Sequence, residues 1–122
     1  MAITQAVCTS FKQELLVEGH NFTNGQDTFK IALYTSSASL DASTTAFTTS
    51  NEVSDSGSYS SGGGSLTSVT PTTSGTTAIC DFADISFTSA TITARGAMIY
   101  NSSNSNKAVC ILDFGGDKTS TS

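Results

Sequence analysis

The amino-acid sequence predicts one mainly β domain, an antiparallel β-sandwich or Greek-key-like fold with a single N-terminal α-helix. Three observations predict it. The chain has 122 residues, which suits one domain spanning 1–122, because half that length is close to the size at which a core fails. Only one segment has helical apolar spacing, whereas several have the β-branched, alternating pattern of strands. The 21 serines and 20 threonines concentrate between those segments, as in polar loops.

The helix is predicted over residues 5–18. Val7, Phe11 and Leu15 recur every four residues and therefore share one face, which Cys8 and Leu16 widen. A helix of this length cannot bury its apolar face by itself, so we expect it to pack on a sheet.

The strands are predicted within residues 28–114. Residues 28–35 alternate apolar and polar side chains. In residues 91–101 both alternating sets are largely apolar, which predicts a central strand covered on both faces. Residues 102–107 are predicted to form a hairpin loop that leads to a partner strand.

The middle of the chain and its end are less regular. A strand is predicted over 66–70, a turn over 71–75, and one bent strand or two over 76–88. Residues 117–122 are predicted to be a polar tail, so the domain either ends in disorder or lacks a final strand. A missing strand leaves an open sheet edge, which invites a strand from a neighbouring subunit.

Charge and hydropathy argue against several classes of protein. The net charge is −5, with five lysines and arginines in all, so we expect neither nucleic acid nor an anionic membrane surface as a partner. No apolar run approaches the roughly 18 residues of a membrane-spanning helix. The N-terminus lacks the basic region of a secretory signal, and we therefore expect the chain to be made in a cytoplasm and to be kept or assembled there.

No catalytic constellation emerges from the sequence. Cys8, Cys80 and Cys110 each lie in an apolar segment without a CxxC motif, and we expect three buried free thiols. His20, the only histidine, follows the predicted helix and is expected to have a structural role. Because no nucleophile–base pair or metal cluster can be assembled, we expect a non-enzymatic protein without cofactor or metal.

Five residues are candidates for contact with a partner, and two of them carry specific expectations. Tyr59 lies in a Ser/Gly-rich loop and is the aromatic residue most expected to be exposed. Arg95 interrupts an apolar strand and needs a carboxylate partner, for which Asp81 and Asp84 are available. The ion pair is either a structural pair within the chain or a pair between subunits.

The other three candidates follow from the predicted hairpin and edge. Ser102 and Asn104 lie at the predicted hairpin tip, and Phe114 lies where the last predicted strand ends. We expect the hairpin tip to contact neighbouring proteins and the sheet edge after Phe114 to pair with a strand of another subunit, which favours a homo-oligomer.

Four segments together resemble a family of small virion structural proteins of tailed bacteriophages, common in phages of marine and freshwater bacteria. The segments are MAITQAVCTSFKQELL, DTFKIALYTSSASL, SATITARGAMIYNSS and NKAVCILDFGGDKTS. Members commonly carry a further β segment after the position that matches Ser122. No functional residues are established for the family, so none is carried over to this chain.

The resemblance implies a structural component of the virion. We expect a multi-copy decoration or cement protein on the capsid exterior, with the major capsid protein or other virion proteins as partners. Two alternatives remain open: a tail, neck or fibre-attachment component, and a carbohydrate-binding adhesin module that recognises host surface glycans through exposed aromatic side chains.

Overall fold

Eight short elements form the structure, a computed structural model that describes residues 2–121. They are β1 (Ala6–Val7), α1 (Thr9–Leu15), β2 (Phe29–Tyr34), β3 (Gly64–Ser65), β4 (Ser68–Ser74), β5 (Thr77–Phe82), β6 (Ile92–Asn101) and β7 (Lys107–Ser120). Five strands form one antiparallel sheet in the order β1-β7-β6-β2-β3, and β4 pairs with β5 in a separate hairpin. The predicted class, a mainly β antiparallel fold with one N-terminal helix, is confirmed.

Strand β6 is the centre of the main sheet, between β7 and β2, and most of its residues are buried, although Thr93 is exposed and Arg95 and Ile99 are partly buried. On one face, Phe29 of β2 stacks on Phe22 with ring centroids 4.2 Å apart and packs against Phe82 of the β4–β5 hairpin. On the other face, Tyr100 stacks on Phe47 from the long segment between β2 and β3. The predicted central position of this strand is therefore confirmed, and the predicted cover of both faces is met except at Thr93, Arg95 and Ile99.

The predicted helix over residues 5–18 is too long. Ala6 and Val7 pair as β1 with β7, and the helix begins only at Thr9 and ends at Leu15. Helical periodicity had placed Ala6 and Val7 in the first turn of the helix, but their backbone groups pair with β7 at the edge of the sheet instead. At the other end, Glu18 has a φ of 62° and the Gly19 N–H donates to the Glu14 carbonyl, which closes the helix.

The predicted polar tail over 117–122 is also wrong, except for Ser122, which lies outside the described residues. Strand β7 continues to Ser120 and pairs with Ile92–Ala94 of β6. Between the pairs Gly96–Asp113 and Ala94–Lys118, β7 has residues 114–117 where β6 has only Arg95. This large bulge interrupts the alternating pattern, and the polar residues beyond it are tolerated because they lie at an exposed edge.

The β4–β5 hairpin corrects two smaller predictions. Pro71 and the residues up to Ser74 lie inside β4, and the turn is at Gly75 rather than over 71–75. The register of the hairpin shifts between Val69 and Thr72, at the position where Pro71 has no N–H to donate. Of residues 76–88, only those of β5 form a strand.

A buried polar network joins the end of β6 to the helix. Asn101 is fully buried, and its Nδ2 donates to Oδ2 of Asp27 at 2.8 Å and lies 3.0 Å from Nδ1 of His20. Nε2 of His20 lies 2.8 Å from Oε1 of Glu14. The other carboxylate oxygen of Glu14 lies 3.6 Å from Nζ of Lys107. The network ties α1 and the segment after it to the sheet.

We expect Asn101→Ala to lower the free energy of unfolding by about 2–4 kcal/mol, because it leaves buried polar partners without a donor. Urea denaturation measures this loss. Asn24→Ala, which removes an amide that donates to the Ser68 carbonyl in an exposed loop, is the matched control and should cost about 1 kcal/mol. Equal losses in the two variants would contradict the role assigned to the network.

Gly63 is required where β3 meets β2. Its φ is +80°, and a Cβ atom at this position would lie 1.8 Å from the Ile31 carbonyl oxygen. Gly75, with a φ of +61°, has nothing within 4 Å of the same position. Substitution of Gly75 by a larger residue meets only the cost of a left-handed conformation, whereas substitution of Gly63 also meets the cost of a close backbone approach.

Gly63→Ala is expected to destabilise the fold by more than about 3 kcal/mol, since the added methyl group displaces β3 from β2. Gly75→Ala should cost only about 1 kcal/mol, the penalty of a positive φ. Thermal and urea unfolding of both variants compares the two. A Gly63→Ala protein as stable as Gly75→Ala would show that β3 need not approach β2 so closely.

Candidate functional site

Tyr59 is buried rather than exposed, so it does not present an aromatic surface to a partner. Its side chain is 0% exposed; its hydroxyl donates to Glu52 at 2.7 Å and accepts the Leu33 N–H at 2.9 Å. Burial raises the pKa of Tyr59 far above its usual range. The Ser/Gly-rich loop folds back onto the sheet, which composition alone did not indicate. The sugar-binding alternative therefore loses the residue on which it depended.

Arg95 forms its ion pair with a carboxylate that the sequence analysis did not choose. Its Nε donates to Oδ1 of Asp113 on the neighbouring strand at 3.1 Å. Asp81 and Asp84 are not neighbours of β6, because β5 belongs to the separate hairpin. The Gly115 N–H and the Arg95 guanidinium together hold the pKa of Asp113 below its ordinary value. The pair is thus a contact within the chain, across the bulge.

The hairpin tip forms as predicted, with residues 102–106 in turns between β6 and β7. Ser102 Oγ donates to the Thr28 carbonyl at 3.0 Å, and Asn104 Nδ2 donates to the Gly19 carbonyl. Both candidate contact residues therefore tie the tip to its own chain. Contact between the tip and another protein stays a prediction.

Phe114 does not end the last strand, but the edge near it is open. β1 pairs only with Cys110 and Ile111 of β7, and no other strand of residues 2–121 pairs with the outer edge beyond them. The Phe114 ring packs against a second core cluster that contains Tyr59 and Ile92. It also lines an open cavity of about 310 Å³ at this end of the sheet.

The cysteines differ from the expectation of three buried thiols. Cys8 is buried and Cys110 is partly buried, but Cys80 is exposed on the β4–β5 hairpin. Burial raises the pKa of Cys110 to about 11, and burial raises the pKa of Cys8 as well. At neutral pH both are therefore thiols, without the thiolate character of a nucleophile. Among residues 2–121, no three His, Cys, Asp or Glu side chains are placed to hold a metal ion.

The feature that sequence analysis missed is an apolar groove of about 610 Å³ between α1 and the β4–β5 hairpin. Ile99 of β6 and Val109 of β7 line the groove. Val7, Leu15 and Ile79 line it as well. Those three side chains are 47%, 45% and 42% exposed. We call this surface the apolar groove. Helical periodicity had assigned Val7 and Leu15 to the core, and the apolar context of Ile79 gave no sign that it faces outward.

Comparisons with protein-family models, with curated proteins and with solved structures give no significant match to this chain. No helix among the described residues is long and apolar enough to cross a membrane.

We expect Arg95→Met to lower stability only slightly at neutral pH, because the ion pair is partly exposed. The lowered pKa of Asp113 means that its stabilising contribution is present above the ordinary value of 3.8 and is lost as pH falls through the folded-state pKa. The difference between wild type and variant should therefore vanish in acid. Urea titrations from pH 7 to pH 2 measure it, with Lys12→Met as the control; a difference that grows in acid would contradict the assignment.

Proposed function

We propose that this chain is a non-enzymatic structural component of a tailed-phage virion, a decoration or cement protein present in many copies on the capsid exterior. The observation that carries the proposal is the apolar groove, considered together with the four segments that resemble small virion proteins. A contiguous apolar surface on a folded domain is unfavourable in water and is typical of a protein-binding site. The proposed partner is the major capsid protein, and the place of action is the virion, assembled in the host cytoplasm.

The mechanism is the addition of buried area between capsid subunits. Each copy places the apolar groove over a neighbouring capsid surface and resists the separation of the subunits that it bridges. A stable protein interface buries roughly 1,200–2,000 Å². Modest contacts of this kind, repeated over many copies, stiffen a shell against internal pressure.

The rival location is the tail, the neck or the fibre attachment, where a protein is present in few copies and follows ring or trimer symmetry. The same groove could serve there, so copy number separates the two locations. The carbohydrate-binding alternative receives no support from Tyr59, Tyr34 or Tyr100, all of which are buried.

The first experiment is the copy number per particle, measured by quantitative mass spectrometry of purified virions against the major capsid protein. A ratio near one, or a simple fraction of one, is the expected result. A few dozen copies or fewer would place the protein at the tail, neck or fibres. Absence from the particle would overturn the proposal as a whole.

A variant in the apolar groove tests the surface itself. Ile79→Asp places a charge in the groove and should weaken co-sedimentation of the purified chain with purified capsids by at least about tenfold. Thr73→Asp, an exposed position on the same hairpin outside the groove, is the matched control and should bind as wild type does. Equal binding by the two variants would exclude the groove as the capsid contact.

A further inference from the structure

A second apolar feature lies where the chain leaves α1. Leu16 and Val17 are 86% and 65% exposed, the largest exposures among the bulky apolar side chains of the described residues. Four consecutive N–H groups, from Leu16 to Gly19, donate to carbonyls of residues 13–15 and hold this turn in one conformation. We call Leu16 and Val17 the knob. Neither of its side chains lines the apolar groove, so the proposed capsid contact does not account for them.

The opposite end of the sheet carries a matching concavity. The open cavity of about 310 Å³ beside Phe114 is lined by the apolar side chains of Leu33, Phe87 and Ile92, with Lys118 among its lining residues. We call it the end cavity. An apolar cavity of about 150 Å³ is large enough for a benzene molecule, so the end cavity has room for aliphatic side chains. Lys118 is exposed and forms no ion pair with the described residues.

We propose that the end cavity binds the knob of a second copy of this chain. The two surfaces are complementary in polarity, since both are apolar, and in charge, since Glu18 follows the knob directly and Lys118 lines the end cavity. Glu18 is exposed and, like Lys118, lacks an ion-pair partner among residues 2–121. Docking the knob removes exposed apolar surface from water and places the carboxylate near the ammonium group.

The knob cannot enter the cavity of its own chain. The turn that follows the knob lies at the β6–β7 hairpin tip, because Asn104 Nδ2 donates to the Gly19 carbonyl, whereas the end cavity lies near Ile92 at the other end of β6. Nine residues of strand separate Ile92 from Asn101 at the hairpin end, about 30 Å at ~3.3 Å per residue. The knob of one copy can therefore fill only the end cavity of another copy, either reciprocally in a two-fold dimer or by repetition in a ring or a chain of subunits.

Sedimentation velocity over a concentration series tests whether the purified chain associates through these surfaces. Wild type is expected to form species larger than a monomer at high concentration, and Leu16→Asp should weaken association by at least tenfold without a change in the melting temperature, because Leu16 is almost fully exposed. Val69→Asp, at an exposed apolar position of β4, is the matched control and should associate as wild type does. A monomeric wild type, or equal effects of the two substitutions, would overturn the proposal.

Charge reversal tests the pairing of the knob with the end cavity. Glu18→Lys and Lys118→Glu should each weaken self-association, because each places like charges at the contact. An equimolar mixture of the two variants should recover it, since every contact in the mixture can again join opposite charges. Failure of the mixture to recover would contradict the pairing of the knob with the end cavity.

This inference stands apart from the capsid proposal, because the two use different residues. Leu16→Asp is expected to spare binding of the chain to capsids, and Ile79→Asp is expected to spare self-association. If Leu16→Asp does not weaken self-association, the pairing of the knob with the end cavity is wrong; if Ile79→Asp does not weaken capsid binding, the groove is not the capsid contact.

Discussion

The structure depends on one constraint: β6 has apolar side chains on both faces, and most of them must be removed from water. Its two neighbours, β7 and β2, form hydrogen bonds with the backbone of β6, but they do not cover its faces. The layer on one face comes from α1, Phe22 and the β4–β5 hairpin, and the layer on the other comes from the irregular segment around Phe47. The positions of the helix, the hairpin and the long loop therefore all follow from the burial of one strand.

This chain has few charged residues, and hydrogen bonds from hydroxyl and amide groups hold its loops in place. The Tyr34 hydroxyl donates to the Thr48 carbonyl, the Tyr100 hydroxyl donates to the Gly62 carbonyl, and Asn101 joins three segments in the core. Each of these groups satisfies a polar atom that would otherwise be costly to bury. The abundance of serine and threonine has the same origin, because their side chains bond to nearby backbone in turns and let a long irregular segment hold its shape.

The apolar groove lies where α1 and the β4–β5 hairpin, which cover one face of the main sheet, do not meet. α1 is short and the β4–β5 hairpin is separate from the main sheet, so the groove between them exposes apolar side chains that a longer helix would cover. The knob and the end cavity lie at opposite ends of the β6–β7 ladder, where each has no counterpart in the same chain. The proposed capsid contact uses the apolar groove, and the proposed self-association uses the knob and the end cavity.

Local patterns determined much of the fold. Alternation predicted β2, the two-sided apolar pattern predicted the central position of β6, and the run of Ser and Asn residues predicted the hairpin loop at 102–107. In the structure the turns cover residues 102–106, and Lys107 begins β7. These features depend on neighbouring residues alone, and a sequence displays them directly.

Only the tertiary structure decided the rest. The β1 pairing shortened the helix, and the bulge opposite Arg95 carried β7 through residues that look like a tail. Tyr59 is buried because its loop folds over Leu33, and Arg95 meets Asp113 because the two strands are adjacent in space. The apolar groove and the end cavity consist of residues distant in sequence, so no local pattern could reveal them. The knob consists of adjacent residues, but helical periodicity had placed Leu16 on the apolar face, and only the structure shows it exposed. Burial and pairing depend on which segments meet, and that is set by the packing of the whole chain.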